Sequence, residues 1–244
     1  GAIRFAALEM ELNEPFLVLN GDVLTDLDIG ALLSFHQERE AEATIALQAV
    51  ADPSRFGVVT TSDDGRVREF IEKPPANSSP SNTINAGTYV LNPSVIARIP
   101  DTRPVSIERE TFPKMALAET LFALESDTYW LDTGTPKQFL EANLDVLHGR
   151  RRAKPELPVA AVDATAQVED SVIGTGSHID AEAVIQRSVL FNDCRVSRGA
   201  TIIDSVLSEN VYVGEGATIE GSVIGLGERI EAGSQIVDQS RPAP

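Results

Sequence analysis

Phe16-Leu17-Val18-Leu19-Asn20-Gly21-Asp22 decides how the first half of the chain is read. Four consecutive apolar residues follow neither period 2 nor period 3.6, and they stop abruptly at a flexible turn and a carboxylate. The run predicts a short strand buried on both faces of a parallel sheet. Asn20-Gly21 can close a hairpin, but Asp28 to His36 reads as an amphipathic helix with Asp28 at its N-cap. The unit is therefore strand, loop, helix. Asp22 stands beyond the carboxyl end of the strand, where open α/β sheets place a metal or a phosphate. A solvated loop aspartate would give the same local pattern.

Outward from that unit, residues 1 to 12 read as a helix and Ala43 to Val50 as a second strand, the alternation of α/β packing. Phe56 to Thr61 and Arg66 to Ile71 flank Asp63-Asp64-Gly65, a hairpin by its Asp-Gly turn. Pro74 has no amide hydrogen to give to a ladder, so the second strand ends there with Glu72 and Lys73 at its tip. Residues 76 to 83 read as a mobile loop, and Ile84 to Leu91 as a strand whose small and polar opening lets a ligand approach the backbone. A short helix starts at Pro93, and another is expected over Ser106 to Ala118. Tyr129-Trp130-Leu131-Asp132 is a strand, and Thr135-Pro136-Lys137-Gln138 is a capping box that opens a helix to about Leu147. Asp132 thus repeats the strand-to-helix setting of Asp22, and two such carboxylates could share one divalent cation.

Composition narrows the function classes. A net charge of −17 over 244 residues argues against nucleic acid and against anionic membrane surfaces as partners, because both reward basic patches. The one cysteine, Cys194, leaves no internal disulfide and points to a reducing, cytoplasmic setting. Neither a signal peptide nor a bilayer-spanning apolar run is present in the sequence. Gly1 runs straight into what reads as a mid-domain helix, which is how a fragment begins.

Past a basic, proline-bearing connector, the sequence becomes periodic. At a spacing of 17, Val162, Ile179, Val196, Val213 and Ile230 fall in one column, and Val168, Ile185, Ile202, Ile219 and Ile236 in a second. Ile173, Leu190, Leu207 and Ile224 make a third, and the triplets Ser171-Val172-Ile173, Ser188-Val189-Leu190, Ser205-Val206-Leu207 and Ser222-Val223-Ile224 recur in phase. Three inward aliphatic positions per unit mean three short strands per coil, with small residues at tight corners. One coil cannot bury its own apolar face, whereas a stack of about five can. The expectation is a parallel β-helix of the hexapeptide-repeat type. The domain plan is 1–149 for the α/β domain, 150–158 for a linker, 159–238 for the β-helix and 239–244 for a tail.

The series Val18-Leu19-Asn20-Gly21-Asp22, Phe56-Gly57-Val58-Val59, Phe70-Ile71-Glu72-Lys73-Pro74, Ile84-Asn85-Ala86-Gly87-Thr88-Tyr89, Ser106-Ile107-Glu108-Arg109-Glu110-Thr111-Phe112-Pro113 and Trp130-Leu131-Asp132-Thr133-Gly134-Thr135-Pro136 resembles, in this order, the sugar-1-phosphate nucleotidyltransferase family. The 106–113 stretch and the repeat tail are most similar to its mannose-1-phosphate guanylyltransferases. The resemblance covers residues 1 to 238 and implies a truncated Rossmann-like nucleotidyltransferase sheet followed by a left-handed parallel β-helix. It also implies the reaction: a sugar 1-phosphate oxygen attacks the α-phosphorus of a nucleoside triphosphate, giving a nucleotide sugar and pyrophosphate, with GTP and mannose 1-phosphate as the closest pair. By the same resemblance Asp22 and Asp132 hold Mg²⁺, and Lys73 neutralises the sugar phosphate. Glu72 accepts from sugar hydroxyls, Gly57 offers a backbone amide, and Asn85 bonds the sugar. A homo-oligomer assembled through the β-helix is also implied.

The family's phosphate-gripping loop, of the form Gly-x-Gly-Thr-Arg, does not occur in this sequence. In a complete member about a hundred residues, the size of a nucleotide-binding half-domain, would precede Gly1. Such a loop supplies backbone N–H groups to phosphates, so this polypeptide alone is expected to be inactive. Other readings are a glucose-1-phosphate thymidylyltransferase or related enzyme, a non-catalytic regulatory or scaffold paralogue, and a hexapeptide acyltransferase using His178.

Overall fold

Every residue from Ile84 to Leu91 is buried in the computed structural model, which describes residues 1–75, 79–151 and 159–242. The expected linker at 152–158, part of the expected loop at 76–78 and the tail residues 243–244 lie outside the described residues. The chain divides into two compact units, Gly1–Trp130 and Leu131–Pro244. The first carries α1 (Ala2–Glu9), β1 (Phe16–Leu19), β2 (Val23–Thr25), α2 (Ile29–Glu38), β3 (Ala43–Ala49), β4 (Gly57–Thr61), β5 (Val67–Glu72), β6 (Thr83–Leu91), α3 (Phe112–Leu117) and β7 (Leu121–Ser126).

The sheet runs β5-β4-β6-β3-β7, with β1 also on β6. Apolar clusters cover both of its faces. Ile45, Leu47, Tyr89 and Leu91 pack with Phe112 and Met115 on one side, while Ala46, Ala86 and Val90 meet Leu32 of α2 on the other. Phe16 and Val18 join the first cluster and Leu17 the second, so β1 is apolar toward both faces, as its unbroken run requires. The parallel pairing expected for this strand is corrected by the register: β1 is antiparallel to β6, Phe16 opposite Leu91 and Leu19 opposite Thr88, and Leu19 is 56% exposed. An apolar run reports covered faces, not the direction of its neighbour. The parallel pair is instead β3 with β7, Ala43 opposite Leu121, and β7 has no counterpart among the strands expected from sequence.

Two helices also differ from their expected form. α1 stops at Glu9, and Glu11 turns the chain at φ 50°. The stretch expected as one helix from Ser106 to Ala118 is a π-helical turn, Ile107–Thr111, followed by α3. Ser106 caps the turn by accepting from Arg109 N at 3.2 Å. Pro113, with no N–H to give back, prevents one α-ladder from running through. Asp28 caps α2 as expected, accepting from Ala31 N at 2.9 Å.

In the second unit, Thr135 caps α4 (Pro136–Leu147) through Gln138, and Leu140 and Leu144 of that helix pack on Val189 and Val206 of the solenoid. The solenoid has three parallel five-stranded sheets, and the three aliphatic columns meet in register: Ile179 lies opposite Val196, Ile185 opposite Ile202, Leu190 opposite Leu207. Each coil turns through left-handed residues, at Asp193 and Asn210 in one corner column and at Gly199 and Gly216 in another. The recurring serines line a third corner. Ser188, Ser205 and Ser222 are buried; each Oγ donates to the carbonyl two residues before it and accepts the N–H of the residue 17 positions on. Cys194 is buried in the same solenoid, and burial pushes its thiol up to about 11, the state of an inert structural cysteine.

Ser205→Ala is expected to cost about 1–3 kcal/mol, because it leaves the buried Ser222 N–H without its acceptor, while the Ile203 carbonyl keeps the Gly221 N–H; urea denaturation measures it. His36 is buried, bonded to Thr44 Oγ1 at 2.9 Å and Asn92 Oδ1 at 3.3 Å, and burial lowers its pKa. The unfolded chain therefore takes the proton first. Stability from neutral His36 is complete above the unfolded value of about 6.5 and is lost as pH falls from there through the folded pKa. Melting curves across that range should show a flatter acid slope for His36→Gln.

Candidate active site

β6 changes partner halfway along one edge. Ile84 lies opposite Val58 of β4, whereas Thr88 to Leu91 lie opposite β1. On its other edge β6 bulges against β3: Tyr89 pairs with Ile45 and Asn85 with Leu47, so three residues of β6 face the single Ala46. The residues at the switch are Asn85-Ala86-Gly87. Their backbone groups are taken up by side chains and by the next loop: Trp130 Nε1 donates to Ala86 O at 2.9 Å, Asn85 Oδ1 accepts from Gly87 N at 3.0 Å, and Asn20 N donates to Gly87 O at 2.8 Å. Gly87 sits at φ +76°, and a Cβ there would meet the Asn20 amide at 2.8 Å. The Asn-Gly of the 16–22 stretch and the Ala-Gly of β6 therefore form one closely fitted wall.

The hairpin delivers three of the expected residues together. Gly57 on β4 lies directly opposite Glu72 on β5, and Lys73 N donates to Phe56 O at 3.0 Å. Lys73 takes a left-handed conformation, φ 51°, unusual for a residue with a Cβ, and its side chain is exposed. Burial and the nearby charge of Glu108 raise the pKa of Glu72, with Lys73 and Arg109 opposing. Asn85, 7% exposed, donates to Tyr89 Oη at 2.9 Å and to Glu108 Oε1 at 2.7 Å. Tyr89 donates to the same Glu108 oxygen at 3.1 Å; burial first, and then the Glu108 charge, raise its phenol pKa and hold it as a donor. A cavity of about 820 Å³ in the first unit is lined mostly by apolar residues of α1 and β1, and its rim takes in Asn20, Asp22, Tyr89 and Glu108 but not Glu72, Lys73 or Asn85.

Asp22 is exposed on the loop after β1. Asp132, in the second unit, accepts from Gly134 N at 2.7 Å through Oδ1. No group of three or more His, Cys, Asp or Glu that could cage a metal occurs among the described residues. Mg²⁺ takes one or two carboxylates plus substrate phosphates and keeps several waters, so the carboxylates of Asp22 and of Asp132, each taken within its own unit, are of the hard-oxygen type it uses. Glu108 and Tyr89 lie within motifs that carried the family resemblance, yet no role was read for either. Only the π-helical turn and the bulge bring them onto Asn85.

A mixed sheet with helices on its faces, followed in sequence by a three-sided parallel β-solenoid, is the architecture of the chain. Residues 1–149 match the model of the nucleotidyl transferase family, and residues 158–241 match that of GlmU-like C-terminal hexapeptide domains. The chain belongs to the nucleotidyl transferase family. Among its relatives, the mannose-1-phosphate guanylyltransferase catalytic subunit beta of Danio rerio is 44% identical over 144 residues, 59% of this chain and 39% of the relative. Mannose-1-phosphate guanylyltransferase 1 of Arabidopsis thaliana is 41% identical over 167 residues, 67% of this chain and 45% of the relative. The chain thus spans less than half the length of these relatives. No helix among the described residues is long and apolar enough to cross a membrane.

At Gly57 an added Cβ would lie 2.8 Å from Glu72 Oε2 and 2.9 Å from Phe70 Cζ, and the Phe70 ring is fixed against Phe112. Gly57→Ala should therefore displace Glu72 and overpack Phe70, lowering stability by about 1–3 kcal/mol; thermal unfolding measures it.

Proposed function

We propose that this chain forms the sugar-phosphate side of a mannose-1-phosphate guanylyltransferase, which joins GTP and mannose 1-phosphate into GDP-mannose and releases pyrophosphate. The Glu72-Lys73 tip carries the reading. It places an acceptor and a cation side by side opposite a glycine, at the end of a strand that Pro74 terminates. The identities to mannose-1-phosphate guanylyltransferases support the choice of sugar and base.

In the reaction, a phosphate oxygen of the sugar 1-phosphate forms the new bond to the α-phosphorus, and the bond to pyrophosphate breaks with its electron pair leaving on pyrophosphate. Two anions must meet, so positioning and charge neutralisation carry the catalysis. Lys73 lowers the repulsion at the sugar phosphate, with Arg109 as a second cation toward Glu72. Glu72 accepts from sugar hydroxyls, and its desolvation strengthens those bonds. Gly57 keeps the floor of the site open and presents its backbone amide. Asp22 and Asp132 would hold Mg²⁺, which when bound stabilises charge on the α-phosphate and leaving group.

In a protein that contains this chain and turns over GTP with mannose 1-phosphate, Asp22→Asn and Asp132→Asn should each lower kcat by about a hundredfold or more with unchanged circular dichroism. Rates near wild type in both would remove the metal assignment. The isolated 244-residue polypeptide, whose sequence has no Gly-x-Gly-Thr-Arg loop, should release little or no pyrophosphate under the same assay.

A further inference from the structure

Asn85 is held by a closed set of hydrogen bonds within the protein. An amide has two N–H donors and a carbonyl oxygen with two lone pairs. Asn85 gives both donors within the protein, to Tyr89 Oη and Glu108 Oε1, and its oxygen takes the Gly87 N–H, which leaves one lone pair on a side chain only 7% exposed. Its orientation is also determined: a carboxylate only accepts, so the nitrogen must face Glu108. Tyr89 completes the triangle, accepting from Asn85 and donating to Glu108, and at 2% exposure it has no room to turn. Glu108 Oε1 thus receives two donors, whereas Oε2 has no protein partner among the described residues and Glu108 borders the cavity that reaches Asn20 and Asp22. The π-helical turn capped by Ser106 sets the carboxylate there.

We propose that Glu108 is a specificity-determining hydroxyl acceptor of the sugar site, and that Asn85 and Tyr89 are positioning residues that act through it. The inference rests on the sugar-phosphate reading above. Glu72 and Glu108 come from different elements, a strand tip and a π-helical turn, and so accept from different hydroxyls of one ring. A ligand with phosphate but no sugar ring needs Lys73 and gains nothing from Glu108.

Calorimetric titration of the 244-residue chain with mannose 1-phosphate and with inorganic phosphate tests this. Glu108→Gln is nearly isosteric: its remaining oxygen can still accept from Asn85 and Tyr89, while the position of Oε2 becomes a donor. It should bind mannose 1-phosphate about tenfold more weakly, the loss of one charge-assisted hydrogen bond, with phosphate binding unchanged. Asn85→Ser should show the same selective loss, and adding it to Glu108→Gln should cost nothing more. Lys73→Ala should weaken both ligands. Wild-type affinity for mannose 1-phosphate in Glu108→Gln, with Lys73→Ala impaired, overturns the role of Glu108 and leaves the sugar-phosphate reading intact. Additive losses in the double variant overturn the positioning role of Asn85. A wild-type chain that binds neither ligand overturns the sugar-phosphate reading and this inference together.

Discussion

The change of partner along β6 is the constraint on which the first unit depends. A strand paired along its whole length on both edges has no backbone to offer a ligand. β6 pairs with β3 along one edge but bulges there opposite Ala46, and beside that bulge, on its other edge, it leaves β4 for β1. Buried backbone groups left by a bulge need partners, and here they come from Trp130, from Asn20 and from Asn85 itself. The site is thus an opening in the ladder whose edges are fixed by side chains.

That opening explains why small residues gather there. Gly87 admits Asn20 against the backbone at a positive φ, and Gly57 admits Glu72 and Phe70 on the neighbouring hairpin. Beside these close approaches stand half-buried Glu72, whose pKa burial and Glu108 raise, and the exposed ammonium of Lys73. The left-handed turn at Lys73 lets the chain leave the strand and reach Pro74 while its side chain stays at the tip.

The solenoid rests on a different and more local rule. Each coil repeats its inward aliphatics and its corner serine every 17 residues, and each serine links its own coil to the next. Because every contact is with the equivalent residue one coil away, periodicity in sequence maps directly onto contact in space. The aliphatic columns at 162, 168 and 173 are for that reason readable from sequence as three sheets in register, and Asp28 and Thr135 as caps because a cap acts within three residues.

Sequence by itself determined the repeat, the hairpin around Gly65, the strand ends at Glu72 and Asp132, and the motif series that places the chain among nucleotidyl transferases. These all depend on residues near in sequence or at a fixed period. Tertiary structure alone decided the antiparallel direction of β1, the pairing of β7 with β3, and the π-helical turn that brings Glu108 onto Asn85 and Tyr89. An apolar run encodes burial but not its neighbour's direction, and a hydrogen bond between residues 23 positions apart, with no repeat to mark it, is chosen by the packing of strand against turn.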